Sequence, residues 1–277
     1  MPPISFAAYR LWVGVAIYIV VFAVTGRRIS GATLRTCALG GLFFTADVAL
    51  SFTAFQLTSV ADATIIGALA PVCIMFGAAR WFGERVGRRD LAFVAVSLAG
   101  VAVVAIGSAG SPSFSAAGDA AAGASVLSWS AYWLFSKRAR ASIGALEYMA
   151  SVMLVAASVM TAMAAVLPGQ GLAPPRAGDW MWILAVAVFP GAVGHSLVSW
   201  SHRHLEAWLG SLITQCQPVI GSLAAWALLG ERLTAATIVG GLAVLAATAA
   251  IVARSRRAGP AVDASDFGEP ETPAPAG

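Results

Sequence analysis

Charge is what this sequence has least of. Only 11% of its 277 residues are Asp, Glu, Lys or Arg, against about 25% in soluble globular proteins. A soluble fold needs a charged exterior, so the composition excludes a soluble globular domain. Cysteine is also scarce. Cys37, Cys73 and Cys216 each lie inside an apolar block, with no metal-ligand spacing and no disulfide framework. No P-loop pattern is present, which argues against ATP-driven pumping by this chain itself. There is no HExxH, no cluster of carboxylates and no nucleophile with an obvious base, so no catalytic residue, metal or cofactor is expected. No ten-residue alternating pattern marks a membrane β-barrel.

What is present is apolar residue in long blocks, 59% of the chain. Segments of about 20 apolar residues match the roughly 30 Å hydrocarbon core of a bilayer. Nine spans are expected, at 4–26, 34–57, 62–83, 90–108, 119–137, 144–167, 179–201, 207–229 and 234–253. Helices are the fitting element, because lipid offers no partner to an exposed backbone amide or carbonyl. The expected fold class is therefore an all-α polytopic membrane protein. The first block carries Arg10 and runs on as a full-length span, so it reads as a span and not as a cleavable signal peptide. Two longer links, Gly107 to Gly118 and Leu167 to Asp179, are rich in Gly, Ser, Ala or Pro and read as exposed loops. Residues 255–277 are polar and Pro-rich and read as a disordered cytoplasmic tail.

The formal charge of +4 does not indicate nucleic acid, because the basic residues are scattered between apolar blocks. They carry topology instead. Arg27, Arg28, Arg35, Arg80, Arg85, Arg88, Arg89, Lys137, Arg138, Arg140, Arg203, Arg254, Arg256 and Arg257 fall on one side of the nine spans. Arg176 and Arg232 fall on the other, with Arg10 early in the first span. The rich side is expected to be cytoplasmic, with the C-terminus inside and Met1, after nine spans, outside.

The chain repeats itself. Pro71-Val72 is followed by Gly83-Glu84-Arg85, and Pro218-Val219 by Gly230-Glu231-Arg232, with the same spacing and an offset of 147 residues. Ile66 and Ile213, and Ala78 and Ala225, keep the register. The charge count puts Glu84 and Glu231 on opposite sides, so the two halves are inverted, as in many secondary transporters. The first repeat is expected at 1–108 with four spans, a linker at 109–118, and the second repeat at 119–254 with five. A tenth helix, equivalent to 119–137, is expected to have preceded the first span in an ancestor. It was either lost or encoded upstream of Met1.

These residues carry a resemblance. The paired Pro…Gly-Glu-Arg patterns, SFTAFQLTSVADATIIGALAPV (Ser51 to Val72) and GHSLVSWSHRHLEAWLGSLITQCQPVIGSLAAWALLGERLTAATIVGG (Gly194 to Gly241) resemble an EamA-domain transporter of the drug/metabolite transporter superfamily. PISFAAYRLW (Pro3 to Trp12), with Arg10, resembles that family's second helix. The resemblance covers residues 3–254. It implies ten helices in two inverted five-helix repeats, both termini cytoplasmic, and transport of small molecules, often export. This chain departs from it by lacking the first helix.

Several residues are candidates for a substrate or coupling-ion site. Asp47 lies near the middle of the second span, where an ionisable group is costly unless paired or wet. The bland alternative is an Asp bonded to a neighbouring helix for packing. His195 is one residue from Gly194, the position the offset pairs with Asp47. It suits proton-linked exchange, or it is a satisfied structural group. Arg10 suits an anionic substrate group, against simple snorkelling to the interface. Pro71, Pro190 and Pro218 sit inside expected helices and free the carbonyls of Gly67, Val186 and Thr214, making either substrate-lining breaks or plain kinks. Gln215 and Gln217 cannot share one helix face. At most one points squarely into a cavity while the other bonds a neighbouring helix. Glu84 and Glu231, beside Arg85 and Arg232, are expected to pair or cap locally. His202 and His204 read as interfacial. Trp129 and Trp133 read as lipid-facing or packed.

The expected function is secondary transport of a small metabolite or drug-like solute by alternating access at the inner membrane, in the direction of export. The expected partners are a small-molecule substrate, the lipid bilayer and a second copy as a homodimer. A membrane enzyme and a non-transporting degenerate protein are the rival readings.

Overall fold

A computed structural model of the chain describes residues 1–109, 115–230 and 232–257, apart from the side chains of 108, 109, 229, 256 and 257. Of the expected loop from Gly107 to Gly118, residues 110–114 lie outside the described residues, as do Glu231 and the tail beyond 257, while 107–109 end α5 and 116–118 begin α6. Every regular element among the described residues is helical. In chain order these are α1 (Pro3–Thr25), α2 (Gly31–Leu57), α3 (Val60–Gly67), α4 (Ala70–Phe82), α5 (Arg88–Ala109), α6 (Ala116–Arg140), α7 (Ala145–Val166) and α8 (Ala177–Val186). A π-helical segment (Ala187–Gly194), α9 (His195–Ser201), α10 (Ala207–Thr214), α11 (Gln217–Leu229) and α12 (Ala235–Arg257) follow. Taking α3–α4, α8–α9 and α10–α11 as interrupted rods, the described residues form nine rods, in the nine places expected.

Seven of the rods are long and apolar enough to cross a membrane. Large apolar side chains face outward along them, among them Val24, Phe189, Leu197 and Leu242. In water that surface is untenable; in lipid it is solvated. The protein is a multi-pass membrane protein. The other two rods are more polar or interrupted. The α6 helix carries Asp119, Lys137, Arg138 and Arg140, and α10–α11 carries Gln215 and Gln217 at its break.

Local chemistry fixes the helix ends. Ser30, Ser59 and Ser115 each cap the following helix, their hydroxyls accepting from the amides of Thr33, Asp62 and Gly118, which satisfies amides left over at a helix start. Gly83 and Gly230 close α4 and α11 with left-handed φ of 68° and 69°, a conformation a side chain disfavours. That explains the glycine in each Gly-Glu-Arg motif. The last helix continues to Arg257, so the expected boundary of the tail at 255 lies inside α12.

The offset of 147 residues recurs in three dimensions. It carries α3–α4 (60–82) onto α10–α11 (207–229), including the two-residue break at Ala68-Leu69 and Gln215-Cys216. It also carries α5 onto α12 to within a residue. These equivalent helices pack against each other in opposite directions. Asp90, at the start of α5, pairs with Arg254 near the end of α12 at 3.3 Å, while Gly107, near the end of α5, lies against Thr234 and Thr237 at the start of α12. The pair α1 and α7 runs the same way, from Ile4 against Gln170, through Trp12 against Thr161 (2.8 Å), to Arg27 against Glu147 (2.8 Å). Equivalent helices that meet antiparallel are what an inverted repeat produces.

Close backbone approach holds α5 to α12. A Cβ on Gly100 would stand 2.8 Å from the carbonyl oxygen of Gly240, and a Cβ on Gly240 would stand 2.6 Å from that of Gly100. Small residues at such a crossing let dispersion act where no hydrophobic force separates helix from lipid. Gly100→Leu is expected to cost about 1–3 kcal/mol by overpacking and to lower the melting temperature of the detergent-purified protein. Gly123→Leu, at a position with nothing within 4 Å of the added carbon, should leave it unchanged. Equal melting temperatures for the two variants would contradict this packing.

Candidate functional site

The site starts from one carboxylate in an apolar helix. Asp47 faces α6, and its Oδ1 accepts a hydrogen bond from the Ser125 hydroxyl at 2.6 Å. The Ser125 oxygen lies 2.8 Å from that of Ser51, one turn further along α2. These hydroxyls partly replace the water that a midplane carboxylate loses, a loss that costs about 3 kcal/mol at a helix centre. Asp47 therefore has a helix–helix partner and still stands half-exposed in the protein interior.

Two cationic or titratable side chains complete this layer. Arg10, from α1, lies in electrostatic range of both Asp47 and His195. Its Nε is buried and has no hydrogen-bond partner within the protein. It does not snorkel to the interface, because it sits a full turn and more inside α1 and faces inward. His195 is delivered by the π-helical segment. Pro190 lies inside that segment, and the His195 amide reaches back to the carbonyls of Ala192, Gly191 and Pro190. The His195 ring meets Phe44 edge-on at 5.0 Å and Trp129 at 6.1 Å, and its Nδ1 is buried without a partner. Tyr18 ties α1 to the same segment, its hydroxyl 2.7 Å from Ser196 Oγ and 3.3 Å from the Ala192 carbonyl. Pro190 thus marks a widened, still helical turn and not a chain break.

Beside this layer lies a cavity of about 220 Å³. Ser51 and Ser125 form one wall, Trp129 a second, and Gly67, Thr214, Gln215, Gln217 and Pro218 the two helix breaks. Trp129 lines the cavity and does not face lipid. Its neighbour Trp133 is fully buried, with Nε1 donating to the Ala207 carbonyl at 3.1 Å. Gln215 and Gln217 both reach the cavity wall, but differently. Gln215 is buried and its Nε2 donates to the Ala68 carbonyl at 2.9 Å, whereas Gln217 is exposed.

The two breaks follow from Pro71 and Pro218, one residue into α4 and α11. The break falls at residues 68–69 and 215–216, two to three residues before each proline. The Val72 amide turns to the Leu69 carbonyl at 3.0 Å, which leaves the Ala68 carbonyl open to Gln215. Ala68 and Gln215 are themselves equivalent under the 147-residue offset, so this bond joins the two halves where they meet.

The loop after α4 is tied to α6 and to the start of α10. Glu84 pairs with Lys137 of α6 at 2.5 Å, not with Arg85 beside it. His202 is buried and not interfacial. Its Nδ1 lies 2.6 Å from Ser136 Oγ and its ring 4.5 Å from Trp133. Burial, with Lys137 and Arg140 close by, lowers His202 to about 3, so the ring is neutral here. His204 is exposed and stacks on Trp200.

Sequence reasoning named Asp47, His195, Arg10 and the two glutamines, and the structure brings them to one layer and its adjoining cavity. It did not single out Ser51 or Ser125, and it named Thr214 only for its carbonyl and Lys137 only as a topology charge. Serine and threonine in apolar helices carry no pattern that marks them, since most bond their own backbone, as Thr45 does to Gly41. Lys137 had a signal: it is the one lysine in the sequence.

Known proteins add three findings. The family model described as the EamA-like transporter family matches residues 1–106 and 116–253. A protein of Archaeoglobus fulgidus described as an uncharacterized transporter is 28% identical over 71 residues, a match spanning 26% of this chain and 26% of that protein. A crystal structure of a protein aligns over 94% of this chain and 90% of that one, with a TM-score of 0.80 at 22% identity. That likeness is one of fold.

The bond across the halves is open to test. Gln215→Leu leaves a buried carbonyl unpartnered and should cost about 1–3 kcal/mol, read as a lower melting temperature in detergent. Gln217→Leu is expected within about 0.5 kcal/mol of the parent. If Gln217→Leu proves the more damaging of the two, the assignment of the structural glutamine is wrong.

Proposed function

The chain belongs to the EamA-like transporter family, and on that premise we propose that it carries a small metabolite or drug-like solute across the cytoplasmic membrane by alternating access, in the direction of export. The observation that supports this most is the cavity at the junction of two inverted halves. It lies beside a layer that holds one carboxylate, one guanidinium and one imidazole. Two of those groups present buried nitrogens without protein partners, Arg10 Nε and His195 Nδ1. Buried polar nitrogens of that kind are normally satisfied, and a polar solute or the water that precedes it satisfies them.

The cavity volume falls just below the roughly 300–1,000 Å³ usual for small-molecule sites, which favours a compact solute. Its walls combine hydroxyls and amides with one indole face, so the solute has both polar groups and an apolar or planar part. Asp47, Arg10 and His195 act as the polar recognition and coupling groups. Gln217, exposed to the cavity, corresponds to Ala70 under the offset, and this chemical inequality of the halves suits an asymmetric solute. The Glu84 end, with most of the basic residues, is cytoplasmic in this reading and includes the C-terminus.

The experiment compares solutes inside and outside cells that express this chain, Asp47→Asn, Arg10→Gln or an empty vector, at equal membrane levels. One solute should shift with the parent chain and return at least about tenfold toward the vector level with Asp47→Asn, the scale of losing a charge-assisted contact. Stable insertion with no solute moved, across a panel of amines, amino acids, nucleobases and sugars, would sink the proposal. A fluorescent protein fused after Gly277 should mature and fluoresce if that end is cytoplasmic, and an alkaline phosphatase fusion at the same point should stay inactive.

A further inference from the structure

The Glu84 cluster lies at one end of the rods α3–α4, α6 and α10–α11, and the cavity lies further along the same rods. Glu84 follows the C-terminal end of α4, Lys137 lies near the C-terminal end of α6, and Ala207 begins α10. The cavity is lined by Ser51 to Phe55 near the C-terminal end of α2, by Ala63 to Gly67 in α3 and by Ala122 and Ser125 near the start of α6. From Pro71 to Glu84 the chain covers about 20 Å at 1.5 Å per residue. A solute against Ala70 therefore lies about 20 Å along the rod from Glu84, more than half the roughly 30 Å hydrocarbon core.

Glu84 makes an unusual set of bonds. Its Oε1 accepts from Lys137 Nζ at 2.5 Å and from the Ala207 amide at 2.8 Å, and its Oε2 accepts from the Trp208 amide at 3.3 Å. The side chain is 6% exposed. It caps a helix 123 residues away, at a start where Glu206, the residue in the capping position, makes no side-chain cap. The equivalent helix of the first half needs no such help, because α3 is capped by its own Ser59. Lys137 also donates to the Leu205 carbonyl at 2.9 Å. A single carboxylate thus fastens the α4–α5 loop to α6 and to the start of α10. The charge suits both partners, a cation on one side and the positive end of a helix dipole on the other.

Packing around the bond is equally close. Trp133 donates to the Ala207 carbonyl, and a Cβ on Gly210 would stand 3.2 Å from the Trp133 ring. Arg140 Nε donates to the Ser199 carbonyl at 2.9 Å. All these contacts link α6 to the segment from α9 to α10, and all lie at the Glu84 end.

We propose that Glu84 is the latch of the gate at this end: its carboxylate, shared between Lys137 and the first amides of α10, holds the path from the cavity to the Glu84 side shut. The latch rests on the transporter reading, because a gate has meaning only if the cavity opens alternately to both sides. For the cavity to open to the Glu84 side, the α10 start must leave Glu84 and Lys137. Glu84 touches no residue of the cavity wall, so it is a positioning residue. It sets which side the cavity faces, not what the cavity binds.

The test reads sidedness without any substrate. In the full chain with Cys37, Cys73 and Cys216 replaced by serine, Thr214→Cys places a thiol in the cavity wall. Membrane vesicles of each orientation are labelled with a membrane-impermeant maleimide. With Glu84 present, labelling should be faster from the far side. Glu84→Ala should raise the rate from the Glu84 side about tenfold, the response of a two-state population to a lost contact of this kind. Glu84→Gln keeps an acceptor but loses the charge and should fall between the two. It also serves if Glu84→Ala does not fold. The exchange Glu84→Lys with Lys137→Glu restores an ion pair but sets a cation at the start of α10, and it should leave the gate open. An unchanged labelling ratio in Glu84→Ala and Glu84→Gln, with normal size-exclusion profiles, overturns the latch. So does a thiol that neither side can label. A gate that opens in Glu84→Ala while no solute moves in the parent would instead leave the latch standing and refute the transport reading.

Discussion

A proline one residue into a helix leaves carbonyls of the preceding turn without amide partners, and within a bilayer no water is at hand to take them. Pro71 and Pro218 impose that condition on both halves at equivalent positions. The first half resolves it with a residue of the second, since the carbonyl of Ala68 accepts the amide of Gln215. The two residues are each other's counterparts under the internal repeat, so the bond lies where the halves meet. The cavity sits against it, because both breaks pull their backbones apart at the same depth. Gly67, Thr214, Gln215 and Pro218 reach the wall for this reason. The break creates polar backbone, the polar backbone demands a partner, and the partner fixes how one half faces the other.

The same repeat explains what was legible in the sequence. Nine apolar blocks and one spaced motif were enough for the fold, because span length follows bilayer thickness and the glycine of each Gly-Glu-Arg is required by a left-handed helix end. The position of each break was less legible. A proline announces that an amide is missing, but which carbonyl goes free depends on how the flanking amides redistribute. Here the Val72 amide turns to Leu69 and frees the Ala68 carbonyl as well, beside that of Gly67, which Pro71 leaves without its amide donor. The π-helical segment before His195 left no sequence signal beyond Pro190, since a widened turn and a kink begin from the same proline.

Side-chain roles were legible only where a residue type is out of place. Asp47, Arg10 and His195 stand out in apolar helices by their cost. Ser51 and Ser125 do not, although they hold Asp47, because a hydroxyl in a membrane helix usually satisfies itself on its own backbone. Glu84 and His202 were misjudged for a common reason. Both lie at helix ends, where exposed pairing is the ordinary outcome. The inverted packing instead folds the α9–α10 segment over them, so Glu84 finds Lys137 and His202 finds Ser136, partners 53 and 66 residues distant. No local pattern encodes a contact of that range.

The halves are alike in backbone and unlike in surroundings, and α6 is the source of the difference. It covers α2, α3 and α4, burying Ile74 and Ala78 completely. Their counterparts on α11, Gly221 and Ala225, are exposed and half-buried, and Leu223, Trp226 and Leu228 beside them face outward. No helix among the described residues stands over α11 as α6 stands over α4. The consequence is mechanical. On the Glu84 side, α6 supplies Lys137 and Trp133, two rigid partners that hold the start of α10. At the start of α3, Ser59 caps the helix and the Thr58 hydroxyl donates to Asp119 of α6 at 2.8 Å. Under the latch reading, the α10 start is held by Glu84 with Lys137 and Trp133 of α6, and the α3 start by part-buried hydroxyls and Asp119 of the same helix.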